Sequence, residues 1–345
     1  MLKFSPHHFK AMICTGGIGS GSLFLLNGNH NLGREESRGG KYLDARDYCK
    51  MHIIAHNVKK LSDPGFHVYA IGKVGNDATG RDILREMKEA EIDLTYVGIS
   101  PGDRTLFAFC FLYPDGTGGN LTADESACSK VGEADILAAE EIFRRNEGRF
   151  IALAAPEVPL TARQALLRLS QKYGGFSVAS FTAGEMREVE KLDMLSMIQL
   201  LAVNIDEAAM LAGVDINRNE PLPIIEKLIA RIKKSNPQMC LSVTAGKTGS
   251  WTWDGGALNF VPALSLDVKS SAGAGDAHIS GIISGLNAGL DLSQAQQLGN
   301  LAGALAVTSQ HTIHPEMGRR KIAELIHGQP GAYADNVLRF ISGSS

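Results

Sequence analysis

"FIALAAPEVPLTARQALLRLSQKYGGFSVASF", residues 150–181, sets an apolar run of strand length on either side of a helical pattern over 160–174. Short apolar runs joined through a helix read as two parallel strands with a right-handed crossover, and helices on both faces then bury the sheet. The rhythm continues toward the C-terminus with "IQLLAVN" (198–204), helical stretches over 206–213 and 223–235, and "MCLSVTAG" (239–246). Toward the N-terminus, "HVYAIGKVG" (67–75) precedes the helix-like "GRDILREMKEAE" (80–91). One α/β domain over residues 1–345 follows, a parallel-rich sheet flanked by helices in three layers.

Two segments break the rhythm. Residues 22–40, "SLFLLNGNHNLGREESRGG", and 105–120, "TLFAFCFLYPDGTGGN", are strand-like and turn-rich, with no helix close behind. The second puts Phe107, Phe109, Phe111 and Tyr113 on one face and Leu106, Ala108, Cys110 and Leu112 on the other. Such a strand needs cover on both sides. The expectation is a small projecting sheet, a lid that covers a ligand with one face and meets a second copy of the chain with the other, forming a homodimer.

Composition narrows the function. A net charge of −3 over 345 residues offers no general attraction to nucleic acid or to an anionic membrane, and no apolar run could span a bilayer. The N-terminal "MLKFSPHHFK" lacks an apolar stretch long enough for a secretory signal, so the expected location is the cytoplasm, with His7 and His8 on a loose surface. Cys14, Cys49, Cys110, Cys128 and Cys240 show no paired spacing and read as reduced core residues.

Three familiar signatures fail on counting. "AGKTGS" has Leu241 where a Walker loop needs glycine, and "GGIGSGS" has Ser22 where the dinucleotide fingerprint needs its last glycine. His52 and His56 have the spacing of a zinc pair, but Ile53 stands in place of the general base, which leaves two helix-surface histidines.

What survives is ordered along the chain. "VNIDEA" (203–208) follows one strand, "VTAGKTGS" (243–250) the next, and "AGAGDA" (272–277) opens a helix whose apolar positions Ile279, Ile282, Ile283 and Leu286 repeat at helical spacing. A glycine-rich turn at a helix N-terminus lets an anion approach the backbone, with free N–H groups and the positive end of the helix dipole facing it. At the carboxyl ends of parallel strands all three turns can face one crevice.

These stretches resemble the ribokinase-like carbohydrate kinases, the PfkB family, over most of the chain and best over 66–309. "GKVGNDATGRDILREMKEAEID" (72–93) is similar to the segment leading into the family's lid, and "TLFAFCFLYPDGTGGNLT" (105–122) to the lid strand and its turn. "LLAVNIDEAAMLAG" (200–213) resembles the stretch carrying the Asn-x-x-Glu motif, matched by Asn204 and Glu207, and "AGAGDA" resembles the C-terminal signature. The resemblance implies ATP-dependent phosphorylation of an alcohol on a sugar-like small molecule. Asp276 would then be the catalytic base, and the N–H groups of Gly273, Ala274, Gly275 and Asp276 an anion hole. Thr244, Gly246 and Gly249 would line the nucleotide pocket, and Mg²⁺ would act near Asn204 and Glu207 through its water shell.

The acceptor end departs from the family. Gly21 stands where an aspartate that holds sugar hydroxyls is expected, His52-Ile53 replaces a Gly-Gly pair ahead of Asn57, and Ser180 lies near another expected aspartate. Asn57 and Asp44 are the candidate substrate contacts, with Arg34 and Glu35 behind them. Ser270 and Ser271 replace an Asp-Thr pair that binds a monovalent ion, so K⁺ dependence should be weak and Lys269 could supply the missing charge. The alternatives left open are a nucleoside kinase and a regulatory protein that binds nucleotide without turnover.

Overall fold

In the computed structural model, residues 2–115, 118–327 and 333–343 are described. Nine strands form one sheet in the order β13-β12-β11-β10-β9-β8-β1-β4-β5. Its centre is parallel: β1 (Ala11–Thr15) lies between β8 (Phe150–Ala154) and β4 (His67–Gly75), which pairs with β5 (Asp93–Ser100). On the other side follow β9 (Phe176–Ala179), β10 (Leu200–Asn204) and β11 (Cys240–Thr244). A terminal antiparallel hairpin, β12 (Gly249–Trp253) and β13 (Leu258–Pro262), closes that edge.

β1 and β8 are buried at every residue, the pattern of strands covered on both faces. Their side chains alternate between two cores: Ile13 and Ala152 on one, Met12, Cys14, Ile151 and Leu153 on the other. The first core is capped by α3 (Glu133–Ala138), α4 (Glu140–Arg145), α5 (Leu160–Lys172), α6 (Met186–Lys191), α7 (Ile205–Ala212) and α8 (Pro221–Ser235). The second is capped by α1 (Lys50–Leu61), α2 (Ala78–Glu89), α9 (Ala274–Asn287), α10 (Leu292–Ala306), α11 (Arg319–Leu325) and α12 (Asp335–Ser342). Helix, sheet and helix make the three expected layers.

The lid is a separate sheet of order β3-β2-β6-β7, with β2 (Gly19–Leu26), β3 (Gly40–Tyr48), β6 (Leu106–Leu112) and β7 (Gly118–Thr122). Its first arm begins before residue 22 and runs well past residue 40, so the expected 22–40 segment covers one strand and a connecting loop but misses β3. β3 leads directly into α1. Residues 116 and 117 of the second arm lie outside the described residues. The cover expected on both faces of β6 is incomplete: Leu106 and Ala108 are buried, Phe107 is 44% exposed, and Phe109 to Leu112 are half-buried.

Two surface expectations change. His52 and His56 do not lie on the surface: His52 is fully buried and His56 half-buried, because α1 packs between the sheet and α9. The N-terminus is also tied down, with His8 stacked on Phe4 and against Phe9 and the His7 N–H bonded to the Asn287 carbonyl at 2.8 Å. The five cysteines are free, four of them buried. No helix among the described residues is long and apolar enough to cross a membrane.

Candidate active site

The parallel register brings the carboxyl ends of β1, β8, β9, β10 and β11 to one rim, and a cleft of about 840 Å³ opens there under the lid. Thr244, Gly246 and Gly249 line this cleft. Their side of it is held by buried amides: Gln296 Nε2 donates to the Ser250 carbonyl at 2.7 Å and Ser250 Oγ donates to Asn300 Oδ1 at 2.6 Å, joining β12 to α10.

At the centre, α9 starts at Gly273, whose φ of 77° is left-handed. A Cβ there would run into the Thr312 carbonyl, so the turn requires glycine on two counts. The Ala274 N–H is engaged by the Ser271 carbonyl at 3.3 Å. That corrects the expected four-donor hole: the N–H groups of Gly273, Gly275 and Asp276 are the ones with no protein acceptor among the described residues. They sit at the positive end of a 14-residue helix, a position suited to an anion.

Asp276 keeps some surface open to the cleft but is closely surrounded, and this loss of hydration pushes its carboxyl up to about 7. Lys50 works in the opposite direction, and Glu157, Glu207 and Asp47 add to the rise. Three pKa units above the ordinary value correspond to about 4 kcal/mol favouring the protonated form, which leaves a base balanced near neutrality.

Asn204 and Glu207 form a reciprocal cap on α7: Asn204 Oδ1 accepts from the Glu207 N–H at 2.8 Å, and Glu207 Oε2 accepts from the Asn204 N–H at 2.9 Å. Glu207 Oε1 remains toward the cleft and takes Lys50 Nζ at 3.3 Å. Burial pulls the Lys50 ammonium down, but Asp276, Glu207 and Glu157 outweigh it and hold it above its ordinary value. No cluster of three His, Cys, Asp or Glu among the described residues could hold a metal ion by itself. The oxygen donors of Asn204 and Glu207 therefore fit Mg²⁺ carried in on a nucleotide and reached through water.

The acceptor end differs most from expectation. Asn57 is buried two turns into α1 with its amide unpaired, and does not line the cleft. What α1 contributes is its first residue, Lys50. Asp44 belongs to β3, its side chain lying outside the described residues, and Arg34 and Glu35 are exposed in the loop beyond β2. Lys269 is exposed and does not line the cleft, so it is not placed to stand in for an ion. Ser180 does line the cleft.

Two carboxylates went unread in the sequence. Glu157, in the turn after β8, holds a left-handed φ of 76°, unusual for a side-chain-bearing residue, and its Oε2 is buried with no partner. Burial raises its carboxyl, and the Cys49 thiol and Lys50 counter the rise. Asp47 on β3 is likewise raised by burial, with the Cys110 thiol, which donates to its Oδ2 at 3.0 Å, countering the rise. Thr312 connects the lid to the anion hole: its N–H donates to the Arg46 carbonyl at 3.1 Å and its Oγ1 accepts from the Tyr48 N–H at 3.1 Å, while its carbonyl backs Gly273.

A family model for pfkB family carbohydrate kinases matches residues 54–317. The chain is similar to a ribokinase of Staphylococcus aureus, 24% identical over 245 residues that cover 69% of this chain and 75% of that protein. It is 37% identical to an inositol 3-kinase of Zea mays over 89 residues, covering 25% of this chain and 23% of that protein. Among solved structures, a ribokinase of Cryptococcus neoformans in complex with ADP superposes with a TM-score of 0.76 at 19% identity, covering 93% of this chain and all of that one, 100%. An Escherichia coli protein solved in complex with ATP and Mg²⁺ gives 0.73 at 17% identity, covering 94% and 99%. These likenesses share one fold, a mostly parallel central sheet between helices.

Proposed function

The chain belongs to the pfkB family of carbohydrate kinases, ATP-dependent sugar kinases, and from that premise we propose that Asp276 activates an acceptor hydroxyl for attack on the γ-phosphorus of ATP. The observation that carries this reading is the position of Asp276, in the first turn of α9 and lining the cleft beside the N–H groups of Gly273 and Gly275. Asp276 takes the hydroxyl proton as the oxygen bonds to phosphorus, the bond to the β-phosphate oxygen breaks, and ADP leaves. The N–H groups of Gly273, Gly275 and Asp276 meet the charge on the transferring group, and Lys50 supplies a fixed positive charge beside it. Mg²⁺, bound with the nucleotide near Asn204 and Glu207, would neutralise the phosphates.

A sugar fits better than a nucleoside. The inner lid face presents Gly21, Leu23, Ala108 and Cys110, while Phe24, Phe107, Phe109 and Phe111 alternate to the outer face, so the inner face offers no ring on which a base could stack. The outer aromatic face, with Tyr42 57% and Leu121 66% exposed, suits a homodimer through the lid, which sedimentation at increasing concentration would detect as a monomer–dimer shift. We place the activity in the cytoplasm.

The test is ADP release over a panel of sugars, cyclitols and nucleosides, with Asp276→Asn as control. Asp276→Asn should retain ATP binding and lose about 10²- to 10⁴-fold in kcat. A variant with near-normal kcat would remove Asp276 from the role, and ATP binding with no acceptor turned over would favour the regulatory reading.

A further inference from the structure

Strand β3 ends the lid sheet and so has a free edge, which a loop from the far end of the chain takes up. The β2–β3 register shifts between Gly21 and Leu23, leaving Arg46 without a partner among the described residues of β2. Residues 311 and 312, in the connection between α10 and α11, bond to this stretch instead. His311 Nδ1 accepts from the Arg46 N–H at 2.9 Å, the Thr312 N–H donates to the Arg46 carbonyl at 3.1 Å, and Thr312 Oγ1 accepts from the Tyr48 N–H at 3.1 Å. The Arg46 and Tyr48 side chains both reach Glu86 of α2, the tyrosine hydroxyl donating to its Oε2 at 2.6 Å. Thr312 is buried, and its backbone also lies against the start of α9: its carbonyl and Cα stand where a Cβ on Gly273 would go. Residues 263–273, between β13 and α9, form neither strand nor helix. They are tied down by the same loop, through the Lys269 N–H, which donates to the Val307 carbonyl at 2.8 Å, and through the packing of Gly273 on Thr312.

We propose that Thr312 is a positioning residue for phosphoryl transfer, which fixes the Gly273 turn against lid strand β3 so that the seat of the lid sets the aim of the anion hole. The inference rests on the kinase reading above. Stabilisation by N–H groups depends on their aim, and donors misplaced by about 1 Å can cost about 100-fold in rate. The donors of a helix N-terminus are aimed once its first turn is fixed, and here one residue fixes that turn to the strand entering α1. Threonine suits the place because its N–H and Oγ1 reach two residues of the strand edge, while its branched side chain leaves χ1 few alternatives. The same strand end delivers Lys50 to Asp276, so a second route from Thr312 to the chemistry exists, through the base instead of the hole. The two routes differ in their pH dependence. The base route moves the acid limb of kcat, whereas the hole route lowers kcat by one factor at every pH.

The experiment takes the full chain with the acceptor turned over fastest in the ADP-release panel and follows kcat against pH, both KM values and the melting temperature. Thr312→Val keeps the shape and the backbone N–H but removes the acceptor of the Tyr48 N–H. It should lower kcat about 10- to 100-fold, with both KM values within about threefold and the acid limb unmoved. Thr312→Ser retains the hydroxyl and should bring kcat back to within about threefold of wild type. Thr308→Val removes a hydroxyl of the same loop that donates to the Leu305 carbonyl at 2.7 Å, and should leave kcat within about twofold. Glu86→Ala releases Arg46 and Tyr48 from α2 and should lower kcat about 3- to 10-fold in the wild type while adding little to Thr312→Val. A wild-type kcat in Thr312→Val, even with a lower melting temperature, gives the residue a structural role alone and overturns the inference. So does a rise in KM at constant kcat, a serine variant no better than valine, or an equal loss in Thr308→Val. A displaced acid limb transfers the effect to Lys50, and losses that multiply between Glu86→Ala and Thr312→Val separate the hole from the lid; either overturns it as well. ADP release by the wild type from no compound at all overturns the kinase reading itself, a result distinct from any of these.

Discussion

Lys50→Met removes the ammonium that restrains Asp276 while keeping most of the aliphatic stem. Asp276 stands at about 7 with Lys50 pulling its carboxyl down. An opposite charge at this range is worth about 1 to 3 pKa units, so its loss carries Asp276 to about 8 to 10. The base must be ionised to accept the hydroxyl proton, so activity rises with pH through the pKa and the acid limb moves to higher pH. At pH 7.5 the ionised fraction falls from about three quarters to between about one quarter and under about one hundredth, a loss of about 3- to 200-fold that shrinks as the pH is raised. The assay is kcat against pH for wild type and Lys50→Met with saturating acceptor. Any deficit left at the alkaline plateau reads the contribution of Lys50 to the phosphoryl charge. Glu207 loses its ion-pair partner in this variant, so a lower melting temperature is expected as well, but the limb position does not depend on it. A limb that stays near pH 7 refutes the claim that Lys50 sets the base.

Gly273→Ala forces a Cβ into the left-handed region and against the Thr312 carbonyl, so it should cost about 1 to 2 kcal/mol and disable the anion hole; unchanged melting temperature and kcat would contradict this. Burial lowers His52 to about 3 and His56 and His278 to about 4, below the unfolded value, so the unfolded chain takes up more protons and stability is lost as pH falls from about 6.5. At pH 5 each histidine costs about 2 kcal/mol, with the raised carboxyl of Asp276 offsetting about one of the three. Urea midpoints that are level from pH 7 to pH 5 would refute this. If the lid closes on its substrates, amides of β6 should gain hydrogen-exchange protection when acceptor and nucleotide are both present, and equal exchange with and without them would rule closure out. With Ser270 and Ser271 where an ion-binding pair is expected, turnover should be the same in K⁺ and Na⁺ at matched ionic strength, and strong K⁺ activation would show the ion site retained.

The main sheet was legible because β8, β9, β10 and β11 are short apolar runs separated by helical periodicity, and α7 and α9 announce themselves through a cap and a glycine turn. The lid was half legible. The alternation of β6 shows in sequence, but "GKYLDARDY" of β3 mixes charge and aromatics without a clean period, because only part of it is covered. His52 and His56 were misplaced because a lone zinc-like spacing on a helix says nothing about a second helix packed over it, and here α9 covers α1. Asn57 failed for the same reason. Lys50, Asp47 and Glu157 come from three elements that meet only in the folded chain. Of these, Glu157 carried a usable signal: it follows a buried parallel strand by the same rule that picked out Asn204. Asp47 carried none, because its burial depends on a cross-strand partner.

The lid and the rim divide the labour along the length of the chain. The lid strands, and Glu157 and Ser180 after β8 and β9, lie before residue 181, whereas the cap of α7, the turn after β11 and the start of α9 lie beyond residue 203. A lineage could therefore rewrite its first half and inherit the second untouched, taking up a new acceptor without relearning phosphoryl transfer. Thr312 limits that freedom, because it is bonded to Arg46 and Tyr48 of the first half while it backs Gly273 of the second. Recombined halves from distant relatives should fail first at this seam.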